Sequence, residues 1–393
     1  GKFLIMNNVS QFQKCANCGA CVNICPVNAI CVDRENLYYS LYIDESRCVA
    51  CGRCIAVCPV NSPSKTQNLI AGYIGYMADN AVLLSSSSGG LFHAIAQLVL
   101  DSKGIVFSAA FSEDQHSVVF RSTDEIALRA LQKSKYVESD IGDSFRRIKM
   151  ELINGRNVLF CGTPCQAAGL KRFLGKEYDN LIVCDFSCGG LPSHQMYDQY
   201  LRHLEKRFSS KVKLVDFRPK NFGWDTYSIY IQFNNGRTYT RLATLDSYYK
   251  GFLNSLTKRD YCYECDFSDN HSADIILADF WMYKHLSDMD NHNRGLSLVL
   301  TNSEKGERIM KKIKPKLVLQ TISLEKGSYN IRNGHLSQKV IDRHRNFVEL
   351  VKEKGFMYAI NSEVPMSLFK DWKQWVKQLI KRGRYEGSKE TRA

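Results

Sequence analysis

Residues 15–28, CANCGACVNICPVN, recur 33 residues later as CVACGRCIAVCPVN at residues 48–61. Each copy holds four cysteines at the spacing Cys-x2-Cys-x2-Cys-x3-Cys, and a proline follows the fourth cysteine directly. Three closely spaced thiolates can hold three corners of an iron–sulfur cubane, while the fourth reaches a second cubane. The repeat therefore predicts two [4Fe–4S] clusters in one small N-terminal domain.

This spacing is typical of bacterial two-cluster ferredoxins, in which the fourth cysteine of each copy ligates the other cluster. We expect one cluster on Cys15, Cys18, Cys21 and Cys58, and the other on Cys48, Cys51, Cys54 and Cys25. Gly19 and Gly52 allow the backbone to approach each cluster closely. A pair of structural zinc knuckles is the alternative, but zinc sites normally use two separated cysteine pairs.

The composition fits a cytoplasmic protein of more than one domain. The chain has 393 residues, 44% of them hydrophobic, and fifteen cysteines, which in a chain of this size indicate metal chemistry rather than a disulfide framework. No apolar run is long enough to span a membrane, and no secretory signal opens the sequence. A polar linker at 61–67 predicts a ferredoxin domain at 1–70, a body at 71–300 and a helical region at 301–393.

The formal net charge of +13 overstates the charge of the loaded protein. If a third cluster and a dinucleotide are bound as well, as the body sequence described next predicts, twelve thiolates around three cluster cores would subtract about 6 units and the dinucleotide about 2 more. The holoprotein is then only modestly basic. A basic patch for an acidic partner or an anionic cofactor fits this balance, whereas no motif supports nucleic-acid binding.

The body begins with a serine-rich turn. Residues 85–90, SSSSGG, precede a helix whose apolar residues recur at helical spacing, and Ser87 or Ser88 is expected to cap it. Free amides at a helix start suit a phosphate, although a serine loop with an ordinary cap is the simpler alternative. Strands are predicted at 104–111 and 117–122, followed by a helix through 124–136.

Two later apolar runs, NVLFCGTPCQAAGL at 157–170 and NLIVCDFSCGGLPS at 180–193, each predict a buried strand, a turn and a helix start. Such loops meet at the carboxyl edge of an α/β sheet. We expect a third [4Fe–4S] cluster there on Cys165, Cys188, Cys262 and Cys265, with zinc as the alternative. Cys31, Cys161 and Cys184 are interpreted as buried core cysteines.

Six motifs in unbroken order resemble the coenzyme F420 hydrogenase/dehydrogenase beta-subunit family. They are SSSSGGLF, KSKY, FCGTPCQAAGL, DFSCGGLPS, FRPKNFGW and YCYECDFS…SADIILADFW, between residues 85 and 300. The resemblance implies an α/β flavin-binding body, here fused to an N-terminal α+β ferredoxin-like domain with two [4Fe–4S] clusters.

The resemblance also implies cofactor contacts. The FAD-binding residues would be Ser87, Ser88, Gly89, Gly90, Lys135, Tyr136, Gly162 and Thr163. The family's cluster cysteines fall on the four already assigned to the third cluster. Two positions depart from the family pattern: Gly189 stands where a histidine is common, and Met282 where a glycine is common. The hydride donor or acceptor used in the family therefore does not transfer directly to this chain.

Clusters pass single electrons, and a flavin exchanges both single electrons and hydride. We therefore expect an FAD- and iron–sulfur-dependent oxidoreductase that takes electrons from a ferredoxin-like donor and reduces a small organic acceptor. The alternative is an electron-transfer subunit that oxidises or reduces coenzyme F420 and serves a protein partner. An oligomer is compatible with either.

Residues for proton transfer are less defined. Lys135 and Tyr136 are candidate proton donors, whereas His93 is interpreted as a hydrogen-bonded core residue. Lys220 and Trp224 either line the substrate-binding face or have a structural role in a strand and the turn that follows it.

The C-terminal stretch MSLFKDWKQWVKQLIKRGR, residues 366–384, predicts a basic amphipathic helix. A helix with tryptophans on its apolar face can lie on a membrane surface. Docking on the body or on a second subunit is the alternative.

Overall fold

In the computed structural model, the described residues are 14–61, 68–125, 128–282, 289, 293–331 and 336–365, with 373, 376 and 380. The predicted C-terminal amphipathic helix therefore lies almost wholly outside the described residues. Within the described part of the chain, no helix is both long and apolar enough to cross a membrane.

The N-terminal domain consists of two short helices and a hairpin. Its elements are α1 (Ala20–Ile24), β1 (Ile30–Asp33), β2 (Ser40–Ile43) and α2 (Arg53–Val57), with β1 and β2 antiparallel. Each helix begins after a glycine in the left-handed region, Gly19 at φ 78° and Gly52 at φ 70°, which is the conformation that glycine adopts without strain. The two halves of the repeat are thus two similar loop–helix units.

A mixed nine-stranded sheet forms the centre of the body. Its strands are β3 (Ala71–Met77), β4 (Ile105–Phe111), β5 (Val118–Thr123), β6 (Ser139–Asp140), β7 (Val158–Cys161), β8 (Leu181–Phe186), β12 (Ile275–Asp279), β13 (Ser297–Thr301) and β14 (Leu317–Ile322). Their order is β14-β3-β13-β12-β8-β7-β4-β5-β6, with β12, β8, β7 and β4 mutually parallel. The edge strand β14 lies beyond residue 300, where the body was expected to end.

Helices cover both faces of this sheet. They are α3 (Asn80–Ser85), α4 (Leu91–Asp101), α5 (Ser144–Ile153), α6 (Pro164–Leu174), α9 (Glu304–Ile313) and α10 (Leu324–Ile331). Alternate residues of a strand face opposite sides of its sheet, so Leu159 packs in the core under α4 and α9, and Phe160 in the core under α5 and α6. The second core also contains Ala20 and Ile30, so the ferredoxin domain shares it with the body.

A second layer adjoins the main sheet. It contains the three-stranded sheet of β9 (Val212–Asp216), β10 (Ser228–Phe233) and β11 (Thr238–Leu242), and the helices α7 (His194–Phe208), α8 (Ser247–Leu253), α11 (Gln338–Lys354) and α12 (Phe356–Glu363). Its core is aromatic, with Tyr197, Phe217 and Tyr248 fully buried. This layer closes one side of the candidate site.

Two local predictions were wrong. No side chain caps α4, because Gly90 occupies the cap position in the left-handed region at φ 86°. The helix expected at 124–136 is only a 3-10 turn at Leu128–Ala130 within the described residues, and Lys133 follows with a φ of 69°. A positive φ is incompatible with a continuing α-helix, so this segment turns instead.

Candidate functional site

A cavity of about 50 Å³ lies between the two halves of the N-terminal repeat. Its lining contains the cysteines predicted for one of the two clusters, namely Cys25, Cys48, Cys51 and Cys54. Cys25 comes from the first copy of the repeat, and the other three come from the second. The fold therefore brings together a predicted ligand set that crosses between the copies, and we call it the outer set.

The second predicted set of the ferredoxin domain, Cys15, Cys18, Cys21 and Cys58, is also close in space, and we call it the inner set. Burial, together with the nearby thiols of Cys15 and Cys58, raises the pKa of Cys18 to about 12. A buried thiol needs an adjacent cation to exist as a thiolate, since metal ligation requires deprotonation. The inner set therefore fits a cationic cluster core.

The third predicted set lines a cavity of about 90 Å³ at the carboxyl edge of the sheet. Cys165 lies in the first turn of α6, Cys188 in the loop after β8, and Cys262 and Cys265 in and directly after a 3-10 turn at Asp260–Glu264. Burial raises the pKa of Cys188 to about 11 and that of Cys262 to about 12. We call these residues the body set, and they too fit a cationic core.

Among the described residues, no group of three or more His, Cys, Asp or Glu side chains is arranged to hold a single metal ion. A [4Fe–4S] cluster makes a different demand, because its four thiolates bind four separate iron atoms.

The three sets lie in the order outer, inner, body. Ala16, next to Cys15, lines the cavity of the body set, and Cys165 Sγ lies 3.5 Å from the Ala16 carbonyl oxygen. A Cβ placed on Gly169 of α6 would lie 3.0 Å from Cys18 Sγ, so the helix that carries Cys165 passes directly against the inner set. The inner set is thus the ferredoxin-domain set that adjoins the body set.

A buried polar network joins the ferredoxin domain to the body. The Arg259 guanidinium donates to the Glu138 carboxylate at 2.8 Å and to the Tyr39 carbonyl, and it lies 3.5 Å from the Cys15 carbonyl. His194 contacts Glu138 at 2.7 Å and stacks on the Tyr39 ring at 3.8 Å. The network fixes the inner set relative to the body set, and no motif in the sequence indicated it.

Replacing Glu138 with glutamine should destabilise the protein strongly, because the Arg259 charge would remain buried without its counter-ion. Loss of one partner of a buried pair costs about 3 kcal/mol or more. Anaerobic urea denaturation measures the change in the free energy of unfolding. The matched control is Glu349→Gln, which removes an exposed pair with Lys352 and should cost less than about 0.5 kcal/mol. Equal losses in both variants would contradict the role given to the network.

A larger cavity of about 450 Å³ lies beside the body set. Of the residues expected to contact FAD, its lining contains Ser87, Ser88, Gly90, Lys135, Tyr136, Gly162 and Thr163. Gly89 is not part of this lining. Its amide donates to Ser297 Oγ at 2.9 Å, and a Cβ there would collide with the Gly75 carbonyl, so Gly89 allows the turn to pack against the sheet. The volume falls in the usual range for ligand sites.

Lys135 is a half-buried cation in the lining of this cavity. Its ammonium donates to the carbonyls of Gln132 at 2.8 Å and Lys133 at 3.1 Å. Burial lowers the pKa of Lys135 to about 7, although Cys161 and Asp216 partly oppose the shift. Lys133, in contrast, forms an ion pair with Asp216. Lys135 is therefore the lysine whose charge an anionic ligand would stabilise most.

Sequence reasoning missed the aromatic end of the cavity. Arg218 pairs with Asp279 at 2.9 Å and lies over the Tyr227 ring, 4.0 Å from its centre. Trp281 stacks on Trp224 with the ring centres 4.8 Å apart. Arg218, Tyr227, Asp279 and Trp281 all line the cavity. The motifs FRPKNFGW and ADFW contained three of them, but polar and aromatic residues in a motif do not reveal which cavity they share.

The remaining candidates have structural contacts. Lys220 is buried and donates to the Ser88 carbonyl at 2.7 Å, so it holds the serine-rich turn. His93 is half-buried, contacts Gln132 at 2.5 Å and lines the large cavity. Cys161 and Cys184 are buried core residues, as expected. The core assignment of Cys31 was wrong, because it is only half-buried and accepts from Arg47 at 3.2 Å.

One stretch of chain separates the two cavities of the body. Cys188, Gly189, Gly190 and Leu191 line both the 90 Å³ cavity of the body set and the 450 Å³ cavity. A group bound in the larger cavity would therefore lie directly beside a cluster held by the body set. This arrangement suits electron exchange between the two.

Two family models match parts of the sequence. Residues 155–327 match the C terminus of the beta subunit of coenzyme F420 hydrogenase/dehydrogenase. The chain therefore contains a domain of the F420 hydrogenase/dehydrogenase beta-subunit family. Residues 14–62 match the 4Fe-4S dicluster domain, so the family's C-terminal domain is joined here to a ferredoxin-like domain. The match bears out the resemblance seen in the motifs and identifies an electron-transferring oxidoreductase protein.

Among solved structures, a chain of the F420-reducing [NiFe] hydrogenase complex from Methanosarcina barkeri is similar. It is 15% identical, and the alignment covers 74% of this chain and 94% of that chain with a TM-score of 0.46. This likeness is too low to carry a functional inference. No curated protein matches the sequence significantly.

Proposed function

We propose that this protein is an iron–sulfur flavoprotein that moves electrons between three [4Fe–4S] clusters and FAD, and that coenzyme F420 is its small-molecule redox partner. The observation that carries the proposal is the wall of Cys188, Gly189, Gly190 and Leu191 shared by the two body cavities. The family match at 155–327 supports the choice of F420. FAD, when bound, supplies hydride transfer together with single-electron exchange.

The residues of the chain hold and orient this system. The outer, inner and body sets would each hold one cluster, in line from the surface to the large cavity. Lys135 would bind an anionic phosphate of FAD, beside the free amides at the start of α4. At the aromatic end, the rings of Tyr227 and Trp281 offer flat surfaces for a planar ring, and Arg218 stays charged because Asp279 pairs with it.

A second candidate is a reductase for another organic acceptor, which would take electrons from a ferredoxin-like donor. Gly189 favours it: this position lines both body cavities, and the histidine common in the family is absent. A Cβ there would lie 3.4 Å from the Phe252 ring, so the site could hold a side chain. The space left by glycine would admit a differently shaped acceptor.

The experiment that tests the proposal begins with anaerobic analysis of iron, sulfide and flavin. The photoreduced protein is then mixed with F420, with NAD(P)⁺ or with candidate metabolites, and flavin reoxidation is followed by absorbance. We expect F420 to reoxidise the flavin. If only another small molecule reoxidises the flavin, the second candidate is favoured. If only a protein reoxidises it, direct turnover of a small molecule is excluded. Absence of flavin from the protein would overturn the proposal.

A further inference from the structure

The outer set lies at the surface, unlike the inner set. Cys51 is exposed, whereas Cys18 and Cys21 are buried. A Cβ on Gly52 would have no atom within 4 Å, but a Cβ on Gly19 would lie 2.7 Å from Ile141 of the body. The two halves of the repeat, equivalent in sequence, therefore have opposite environments. A cluster on the outer set would be the one within reach of a partner protein.

Apolar side chains surround Cys51 at this surface. Val49 is 60% exposed and Ile55 is 40% exposed, one on each side of Cys51 along the chain. Exposed apolar residues grouped around a redox centre are typical of the middle of a protein interface, where water is excluded.

Basic side chains border this apolar patch. An open groove of about 580 Å³ next to α2 is lined by Ala56, Lys171, Arg172, Gly175, Lys176 and Glu177. Arg172 donates to the Ala56 carbonyl at 2.7 Å, which places α6 directly against the helix of the outer set. Arg53, at the start of that helix, is exposed. We call Arg53, Lys171, Arg172 and Lys176 the basic border.

Acidic groups offset only part of this charge. Glu177 lies 3.4 Å from Lys171. In the loop before Cys48, Asp44 pairs with Arg47 at 2.6 Å, and Glu45 is exposed. The groove itself has three basic side chains and one acidic side chain. Its field therefore attracts an anionic surface.

We propose that an acidic protein that carries single electrons docks here, with its own redox centre over Cys51 and its carboxylates on the basic border. This inference rests on the proposed function, because it names the partner of the same electron path. In each encounter the carrier loses one electron and this protein gains it, and no bond forms or breaks. Two encounters supply the two electrons for one reduction in the large cavity.

The test uses the full-length, cluster-loaded protein and an acidic two-[4Fe–4S] ferredoxin as the probe. Lys171→Glu/Lys176→Glu should weaken binding of the oxidised ferredoxin by about tenfold at low salt, and added salt should abolish the difference. The control is Lys311→Glu/Lys312→Glu, the same charge change on exposed lysines of α9, which packs on α4. It should change the dissociation constant by less than about twofold.

A rate measurement separates docking from cluster loss. Reduced ferredoxin should bleach the cluster absorbance of the Lys171→Glu/Lys176→Glu variant about tenfold more slowly than that of the native protein. Reduced methyl viologen, a small cation, should reduce both at similar rates. If the double variant loses iron, Lys176→Glu alone provides the test, with a smaller effect of the same sign.

Glu177→Lys should have the opposite effect and tighten binding, because it removes the acidic side chain of the groove. Unchanged binding in all groove variants, or equal weakening by Lys311→Glu/Lys312→Glu, would overturn the docking proposal.

The docking proposal and the proposed function can fail separately. If the groove variants change ferredoxin binding but the protein reduces neither F420 nor any other acceptor, only the proposed function is rejected. If viologen supports turnover but the groove variants do not change ferredoxin binding, only the docking site is rejected.

Discussion

Replacing Cys188 with alanine should lower the iron content from about twelve to about eight atoms per chain, because one complete cubane would lose a ligand and be released. The structure makes this the most informative of the cysteines, since Cys188 lines both the cavity of the body set and the large cavity. Electron flow from the ferredoxin domain to an acceptor should fall by about a hundredfold or more. Iron and acid-labile sulfide analysis after anaerobic purification measures the first effect.

Cys184→Ala is the matched control. Cys184 lies four residues before Cys188, within β8, and is fully buried in the core under α4 and α9. Removing its sulfur leaves a small cavity that costs about 1 kcal/mol of stability without loss of iron. If Cys188→Ala keeps about twelve irons, or if both variants lose the same amount, the assignment of the body set is wrong.

The second large effect is expected at Lys135. Lys135→Met should weaken FAD binding about 10- to 100-fold, because a hydrogen bond between charged groups contributes about 1.5–3 kcal/mol. Fluorescence titration of FAD into deflavinated protein measures the affinity. Lys133→Met is the control, since Lys133 also lines the large cavity but already pairs with Asp216. Equal losses in the two variants would indicate a general effect of cavity charge rather than a specific contact of Lys135.

The same lysine predicts a pH dependence of FAD binding. Burial lowers the pKa of Lys135 to about 7 in the free protein. A bound phosphate would stabilise the ammonium and raise this pKa. Below about pH 7 the lysine is already charged; above it, binding must take up a proton, so the affinity for FAD should fall as the pH rises. In Lys135→Met this part of the pH dependence should disappear, and a retained slope would place its origin elsewhere.

Sequence patterns were sufficient where ligands and their spacing are local. The triplet Cys48, Cys51 and Cys54 forms one loop and needs no knowledge of the rest of the fold, and the predicted strands at β4, β5, β7 and β8 are present. The pattern failed around Lys133, whose positive φ ends the expected helix. Helical spacing of apolar residues does not reveal such a turn, because the contacts that stabilise it come from elsewhere in the chain.

By itself, the sequence determined the ferredoxin-like repeat, the α/β character of the body, the resemblance to a known family and the cysteines expected to bind clusters. Only the tertiary structure decided which half of the repeat faces the body, which stretch of chain separates the two body cavities, and that Glu138, Arg259 and His194 join the domains. The physical reason is that cluster ligation depends on short-range spacing, whereas burial, charge pairing and shared cavity walls arise between residues far apart in the chain, which come together only when the whole core has formed.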